Sequence, residues 1–211
     1  MVSGVTDTTS LGAHAHADAV AHIRAAIVVQ ERVLESCIDD VVRAADAIAT
    51  ALHAGGKLLI CGNGGSAADS QHVAAELVCR LRAGVERPGL AAIALSTDTS
   101  ILTAYANDHD FEGVFARQVE ALGRRGDVLL AISSSGRSKN VLRALEQARG
   151  QGLSTVALAG GAGTAAADVC IAIPSDNTAA IQESMLPIEH VLCELIENAL
   201  FPEQTASLRS P

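Results

Sequence analysis

His72 and Glu76 stand four positions apart, just downstream of the turn Gly62-Asn63-Gly64-Gly65-Ser66. Residues at that spacing lie one above the other on the same face of a helix. An imidazole beside a carboxylate can trade protons or hold a metal ion. The turn before them adds a second capacity. The apolar run Leu58–Cys61 predicts a buried strand, which delivers the chain to the carboxyl edge of a sheet. Glycines permit a tight turn there, and the helix that opens next aims unpaired N–H groups at an anion. Phosphate is the natural guest, so residues 58–76 read as an active site for phosphorylated-substrate chemistry.

A second loop repeats the arrangement. The apolar run Asp127–Ile132 enters Ser133-Ser134-Ser135-Gly136-Arg137-Ser138. Hydroxyls and backbone N–H groups bind a phosphate without burying a lysine, and Ser138 is expected to cap the helix that begins near Lys139. Farther on, the helical stretch Ile181–Leu195 carries Gln182 and His190 eight residues apart. At about 100° per residue they are separated by roughly 80° around the axis, so both can border one cavity.

These groups need a scaffold. Apolar positions such as Ile23, Ile27, Val33, Ile38, Val41, Ala45, Ile48 and Leu52 recur at helical spacing. They predict two N-terminal helices or one long interrupted helix, ended by Gly55-Gly56. Beyond it, short apolar runs at 57–61, 91–95, 127–132, 155–159 and 169–173 alternate with glycine-rich or helical segments, the latter at 98–123, 139–151 and 181–200. That alternation predicts a parallel sheet with helices on both faces. Residues 1–14 are small and polar and are expected to form a loose tail.

With 211 residues the chain suits one sizeable α/β domain. It has no Trp, one Tyr and three Phe, so its core must be built from Ala, Val, Leu and Ile. A formal charge of −9 disfavours a general nucleic-acid surface, which rests on phosphate neutralisation by Lys and Arg. No apolar run approaches the roughly 20 residues that span a bilayer, and no basic segment followed by an apolar one opens the chain. No membrane partner is therefore expected, and the expected location is cytoplasmic. The five cysteines, at 37, 61, 79, 170 and 193, form no Cys-x-x-Cys pair, which argues against a disulfide framework and against a cysteine zinc site. His14, His16 and His22 lie in an Ala-rich stretch and read as solvated, while His53 and His109 are isolated in sequence.

Several motifs now stand together: Cys-Gly-Asn-Gly-Gly-Ser at 61–66, Gln-His-Val-Ala-Ala-Glu at 71–76, Ala-Asn-Asp at 106–108, Ser-Ser-Ser-Gly-x-Ser at 133–138, and Ile-Gln-Glu at 181–183 followed by His190. Through them, from about Gly55 to Phe201, the chain resembles the sugar-isomerase (SIS) domain family. Within that family it resembles the phosphoheptose isomerases, which interconvert sedoheptulose 7-phosphate and D-glycero-D-manno-heptose 7-phosphate. The resemblance implies a three-layer αβα sandwich with a five-stranded parallel sheet, preceded by N-terminal helices. Residues 1–54 would then be tail and helices for oligomer contact, 55–202 the SIS domain and 203–211 a C-terminal tail, all in one structural unit. It also implies substrate contacts from Asn63, Gly64, Gly65, Glu76, Asn107, Asp108, Ser133, Ser134, Ser135, Ser138 and Gln182, with Ser66 as a further phosphate contact. One zinc ion (Zn2+) per subunit is implied at His72, Glu76, Gln182 and His190. So are a proton transfer between C1 and C2 through a cis-enediol(ate), with Glu76 as base and His190 as acid, and a homotetramer with sites at subunit interfaces.

Three positions depart from the family's pattern. Ala180 stands where many members carry arginine, Met185 where many carry histidine, and Pro187 falls inside the final helix. Proline removes an N–H bond to the carbonyl of Glu183, so a kink is expected between Gln182 and His190. Two alternatives share the fold. One is a non-catalytic SIS-domain adaptor that binds the bacterial replication initiator, with a similar Leu-Phe-Pro ending at 200–202; the other is an isomerase of a different sugar phosphate. The joint presence of His72, Glu76, Gln182 and His190 favours the enzyme.

Overall fold

The computed structural model describes residues 14–161, 163 and 166–206, so all of the expected N-terminal tail except His14 lies outside the described residues. Two N-terminal helices are present, α1 (Ala15–Ser36) and α2 (Ile38–His53), separated at Cys37. Asp39 and Asp40 occupy the first turn of α2, where negative charge suits the helix dipole. The strands are β1 (Leu58–Gly62), β2 (Ala92–Ala94), β3 (Val128–Ser133), β4 (Ser154–Gly160) and β5 (Val169–Ile173). They form one sheet, paired in parallel throughout, in the order β2-β1-β3-β4-β5.

Every residue of β1 and β3 is buried, because helices cover both faces of the sheet. Side chains alternate between the two faces. Leu58, Ile60, Leu130 and Ile132 point into one core layer with α2 and with α7 (Thr178–Leu200). Leu59, Cys61, Leu129 and Ala131 point into the other, with α5 (Val114–Leu122) and α6 (Lys139–Gln151). The N-terminal helices are therefore part of the fold and not only an arm for assembly, since Val41, Ala44, Ala45, Ile48 and Leu52 of α2 are buried in the first layer. The helical stretch expected at 98–123 is divided into α4 (Thr99–Asp108), a 3-10 turn at Phe111–Gly113, and α5. Asp98 and Asp110 start the first two by accepting backbone N–H bonds from Ile101 and Gly113.

The kink expected at Pro187 does not interrupt the helix: α7 runs from Thr178 to Leu200 with the proline inside it. One backbone hydrogen bond is lost, but Ile181, Met185, Ile188, Leu192 and Ile196 hold both halves against the same core. The helix starts at Asn177, whose side chain accepts from the N–H groups of Ala179 and Ala180. A final turn, α8 (Pro202–Thr205), buries Thr205, so the expected C-terminal tail begins as ordered helix; residues 207–211 lie outside the described ones. Among the described residues no helix is long and apolar enough to cross a membrane.

Strand order decides where the site sits. The chain winds one way from β1 to β2 and the other way from β3 to β5, so the order reverses between β1 and β3. In such sheets the crevice outside the carboxyl ends of the two strands at the reversal is the binding position. The loops that leave those ends are the glycine loop and the serine loop.

Candidate active site

The two loops are joined directly. Asn63, after β1, and Asn140, in the first turn of α6, exchange amide hydrogen bonds of 2.8 and 2.9 Å. The Asn63 side chain, expected to contact substrate, spends one donor and one acceptor on tying the glycine loop to the start of α6, and keeps a second N–H and lone pair. Gly64 has φ of 59°, a conformation glycine adopts without strain, and it turns the chain into α3 (Gly65–Val78). Gly65 is needed for a different reason. A Cβ there would stand 2.8 Å from Nε2 of Gln182, so the missing side chain makes room for the α7 amide. Ser66 is buried in the first turn of α3.

Along the seam between α3 and α7 the two histidines meet. His72 Nε2 and His190 Nε2 are 2.8 Å apart, with ring centroids 5.0 Å apart. One ring must donate and the other accept, so this contact excludes a doubly charged pair. Glu76 Oε1 lies 3.7 Å from Nδ1 of His72, on the far side of that ring. Two further carboxyls approach the same seam. Burial pushes Asp69 up, partly offset by His72. Glu189, the neighbour of His190, is fully buried with no partner for either oxygen among the described residues, and burial together with the charge of Asp69 pushes it up to about 8. Cys193, one turn on, is an inert buried thiol, raised to about 12 by desolvation first and by the surrounding carboxylates second.

A buried clamp fixes the distance between the two helices. Arg87 donates to the carbonyls of Glu76 and Leu77 at 2.8 Å each and to Glu197 Oε1 at 2.8 Å. Both its side chain and that of Glu197 are fully buried. The guanidinium thus caps the last turn of α3, which carries Glu76, and ties it to α7, which carries His190.

The serine loop is built locally. Ser133 ends β3 and donates to Ser138 Oγ at 3.2 Å, while Gly136, with φ of 62°, closes the turn. Ser138 stands at the N-cap position of α6, but its side chain makes no cap bond. The expected capping role fails because its hydroxyl is engaged with Ser133. Ser134 and Ser135 open into a cavity of about 330 Å³ whose other walls come from Arg137, Gly160, Asp176 and Thr178. Arg137, Asp176 and Thr178 were not among the expected site residues. Arg137 lay inside a motif read for its hydroxyls, and the segment after β5 carried no signal of its own.

Other expected residues stay apart. Asn107 and Asp108 are exposed at the end of α4, where the Asn107 amide donates to Asp108 at 2.9 Å, and neither has a bond to the two loops. His22, expected to be solvated, is exposed on α1, and its ring also contacts Glu183 Oε1 of α7 at 2.5 Å.

Whether these residues suit a zinc ion can be judged from the donors. Two nitrogens bound to one tetrahedral zinc, each at about 2.0–2.1 Å, stand roughly 3.3 Å apart. The histidines at 2.8 Å are close to that and need only part slightly. The Gln182 amide lies over Gly65, at the start of the helix that carries His72. Among the described residues no three of His, Cys, Asp and Glu gather tightly enough to hold a metal unaided, because Glu76 sits on the Nδ1 side of His72. In donor type, and in the convergence of the imidazoles, the set fits zinc.

Comparison with known proteins agrees with this geometry. Residues 21–160, which include both loops and α3, match the SIS domain family. The chain is 51% identical over 184 residues to a phosphoheptose isomerase of Roseiflexus sp. (strain RS-1), covering 86% of this chain and 92% of that protein. It is 56% identical over 164 residues to one of Bradyrhizobium sp. (strain BTAi1 / ATCC BAA-1182), covering 76% and 82%. Among solved structures, the phosphoheptose isomerase of Neisseria gonorrhoeae superposes with a TM-score of 0.80 at 39% identity, over 87% of this chain and 98% of that one. That of Francisella tularensis gives 0.82 at 37%, over 86% and 97%. The chain is an isomerase that belongs to the SIS domain family, in its phosphoheptose isomerase branch.

Proposed function

We propose that this isomerase interconverts sedoheptulose 7-phosphate and D-glycero-D-manno-heptose 7-phosphate. The observation that carries the reading is the meeting of His72, Glu76 and His190 at one seam, next to two anion-binding loops at the sheet's reversal point. Likeness to the phosphoheptose isomerases supplies the sugar. The same seam favours the enzyme over the initiator-binding adaptor, which needs no acid/base pair.

Moving hydrogen between C1 and C2 requires removing a proton beside a carbonyl and returning one to the neighbouring carbon. Glu76 takes that proton as base, and His190 exchanges a proton with the adjacent oxygen as acid, through a cis-enediol(ate). His72, in contact with His190, helps to orient that ring. The serine loop holds the phosphate and so positions C1 and C2. One zinc per subunit is proposed at His72, Glu76, Gln182 and His190; bound there, it would polarise the carbonyl and stabilise negative charge on oxygen.

The homotetramer is also part of the proposal. Ile23, Ile27, Val28 and Leu34 of α1 are exposed apolar residues, as are Ile38 and Val42 of α2. Such a face suits burial against other copies. Removing residues 1–50 would strip a core layer, so the better test is Ile27→Asp with Leu34→Asp in the full chain. Sedimentation should show smaller species, and an unchanged tetramer would refute the assignment of this face.

The reaction itself is tested by NMR of sedoheptulose 7-phosphate in D2O, with and without added zinc, beside Glu76→Gln and His190→Gln. Aldoheptose with deuterium at C2, absent in both variants, supports the reading. No turnover with any added metal would sink it in favour of another sugar phosphate.

A further inference from the structure

We propose that Arg137 is a phosphate-binding residue of this site and that, with Asp176 lining the same cavity, it sets which way round the substrate lies. The inference rests on the reading of the serine loop as the phosphate end of a sugar-phosphate site. Three cations follow Gly136 in the loop and the first half of α6: Arg137, Lys139 and Arg143. Lys139 is held by Glu112 at 2.7 Å, and Arg143 by Asp110 at 3.0 and 3.1 Å. Among the described residues the guanidinium of Arg137 has no hydrogen bond or ion pair, although its backbone N–H is fixed by Ser135 Oγ at 3.2 Å. A charged group left uncommitted, on a backbone that is itself anchored, can bind a ligand without first breaking a bond.

Its surroundings define the ligand. Arg137 shares the cavity of about 330 Å³ with the exposed hydroxyl of Ser135 and with Ser134, groups that complement phosphate oxygens. Asp176 lines the same cavity. A carboxylate repels a phosphate and accepts hydrogen bonds from sugar hydroxyls, so Arg137 attracts the anion and Asp176 the polyol. Ile181 also borders it, and the next residue, Gln182, lies over Gly65. A chain of hydroxylated carbons that starts at Arg137 can therefore run past Ile181 toward the histidine seam. The ligand class is a phosphomonoester on an extended polyol.

The test compares the full-length protein with Arg137→Ala and Arg137→Lys, using steady-state kinetics on sedoheptulose 7-phosphate and inhibition by inorganic phosphate. Arg137→Ala should raise KM and the phosphate inhibition constant together by about 10- to 100-fold, with kcat changed less than about threefold. Arg137→Lys should recover part of the loss. Unchanged KM and unchanged phosphate inhibition in an active Arg137→Ala variant would overturn the role of Arg137 and leave the isomerase reading standing. Were the wild type inactive on this sugar, calorimetric titration with inorganic phosphate would still decide. Weaker binding by Arg137→Ala supports the role of Arg137, whereas equal binding, or none by either protein, overturns it.

Discussion

At the serine end of the site, consecutive residues from Ser133 to Ser138 do the positioning, and the bond that closes the loop spans five positions. At the histidine end the contacting rings are 118 positions apart, and their meeting depends on how α3 packs on α7. The first construction needs a strand end, a glycine at positive φ and a few hydroxyls. The second needs a buried ion pair, a glycine that makes room for a glutamine, and a helix that stays continuous through a proline. Binding groups built from a contiguous loop should therefore tolerate loosening of the fold, whereas the reacting groups should not.

The largest effect expected is on the chemistry. Glu76→Gln should lower kcat by about 10²–10⁴-fold with little change in KM, in contrast to Arg137→Ala, which acts on KM. A Glu76→Gln variant that altered KM alone would place Glu76 at the binding end and dissolve the distinction.

Next comes the clamp. Arg87→Met leaves buried Glu197 with only the longer Arg82 contact at 3.3 Å and frees the last turn of α3. Breaking a buried pair on one side costs about 3–5 kcal/mol. Urea unfolding should show that loss, and kcat should fall while phosphate inhibition in the folded variant persists. Equal weakening of both ends would mean that the clamp serves the whole fold and not the seam.

Gly65→Ala is a finer probe, since the added methyl meets only the far end of the Gln182 side chain. The amide can swing aside, so the fold should survive while misplacement of Gln182 lowers kcat/KM by about tenfold. Activity equal to wild type would show that Gln182 has no need of its position over Gly65.

The smallest effect concerns pH. Glu189 has its folded-state value raised from 4.5 to about 8, so the folded protein holds this proton where the unfolded chain has released it. Stability from this carboxyl is thus greatest below 4.5, falls as pH rises toward 8, and levels off above it. Glu189→Gln should flatten that decline by about 1–2 kcal/mol between pH 5 and 8, measured by thermal unfolding with a chelator present. A decline as steep as in wild type would mean that Glu189 finds a partner in solution.

Much of this architecture was legible beforehand. The apolar runs at 57–61 and 127–132 were too short for helices and too continuous for half-exposed strands, and β1 and β3 are buried on both faces as that pattern requires. The glycine and serine loops could be read because turn chemistry is local. Less visible was what each side chain would do once other elements arrived. Ser138 was read as a cap and bonds to Ser133 instead. Asn63 pairs with Asn140, and His22, on its exposed helix face, also meets Glu183. These two partners come from far along the chain, outside the window that supports a local reading.

The sequence by itself determined the alternation of strand and helix, the glycine and serine turns, and the placing of His72 above Glu76, because all of these follow from backbone geometry within a few residues. Only the tertiary structure decided that Pro187 leaves α7 whole, that Arg87 locks α3 to α7, and that His72 meets His190. Those outcomes depend on burial and on charges facing each other across more than a hundred positions, and neither is written in the spacing of a single segment.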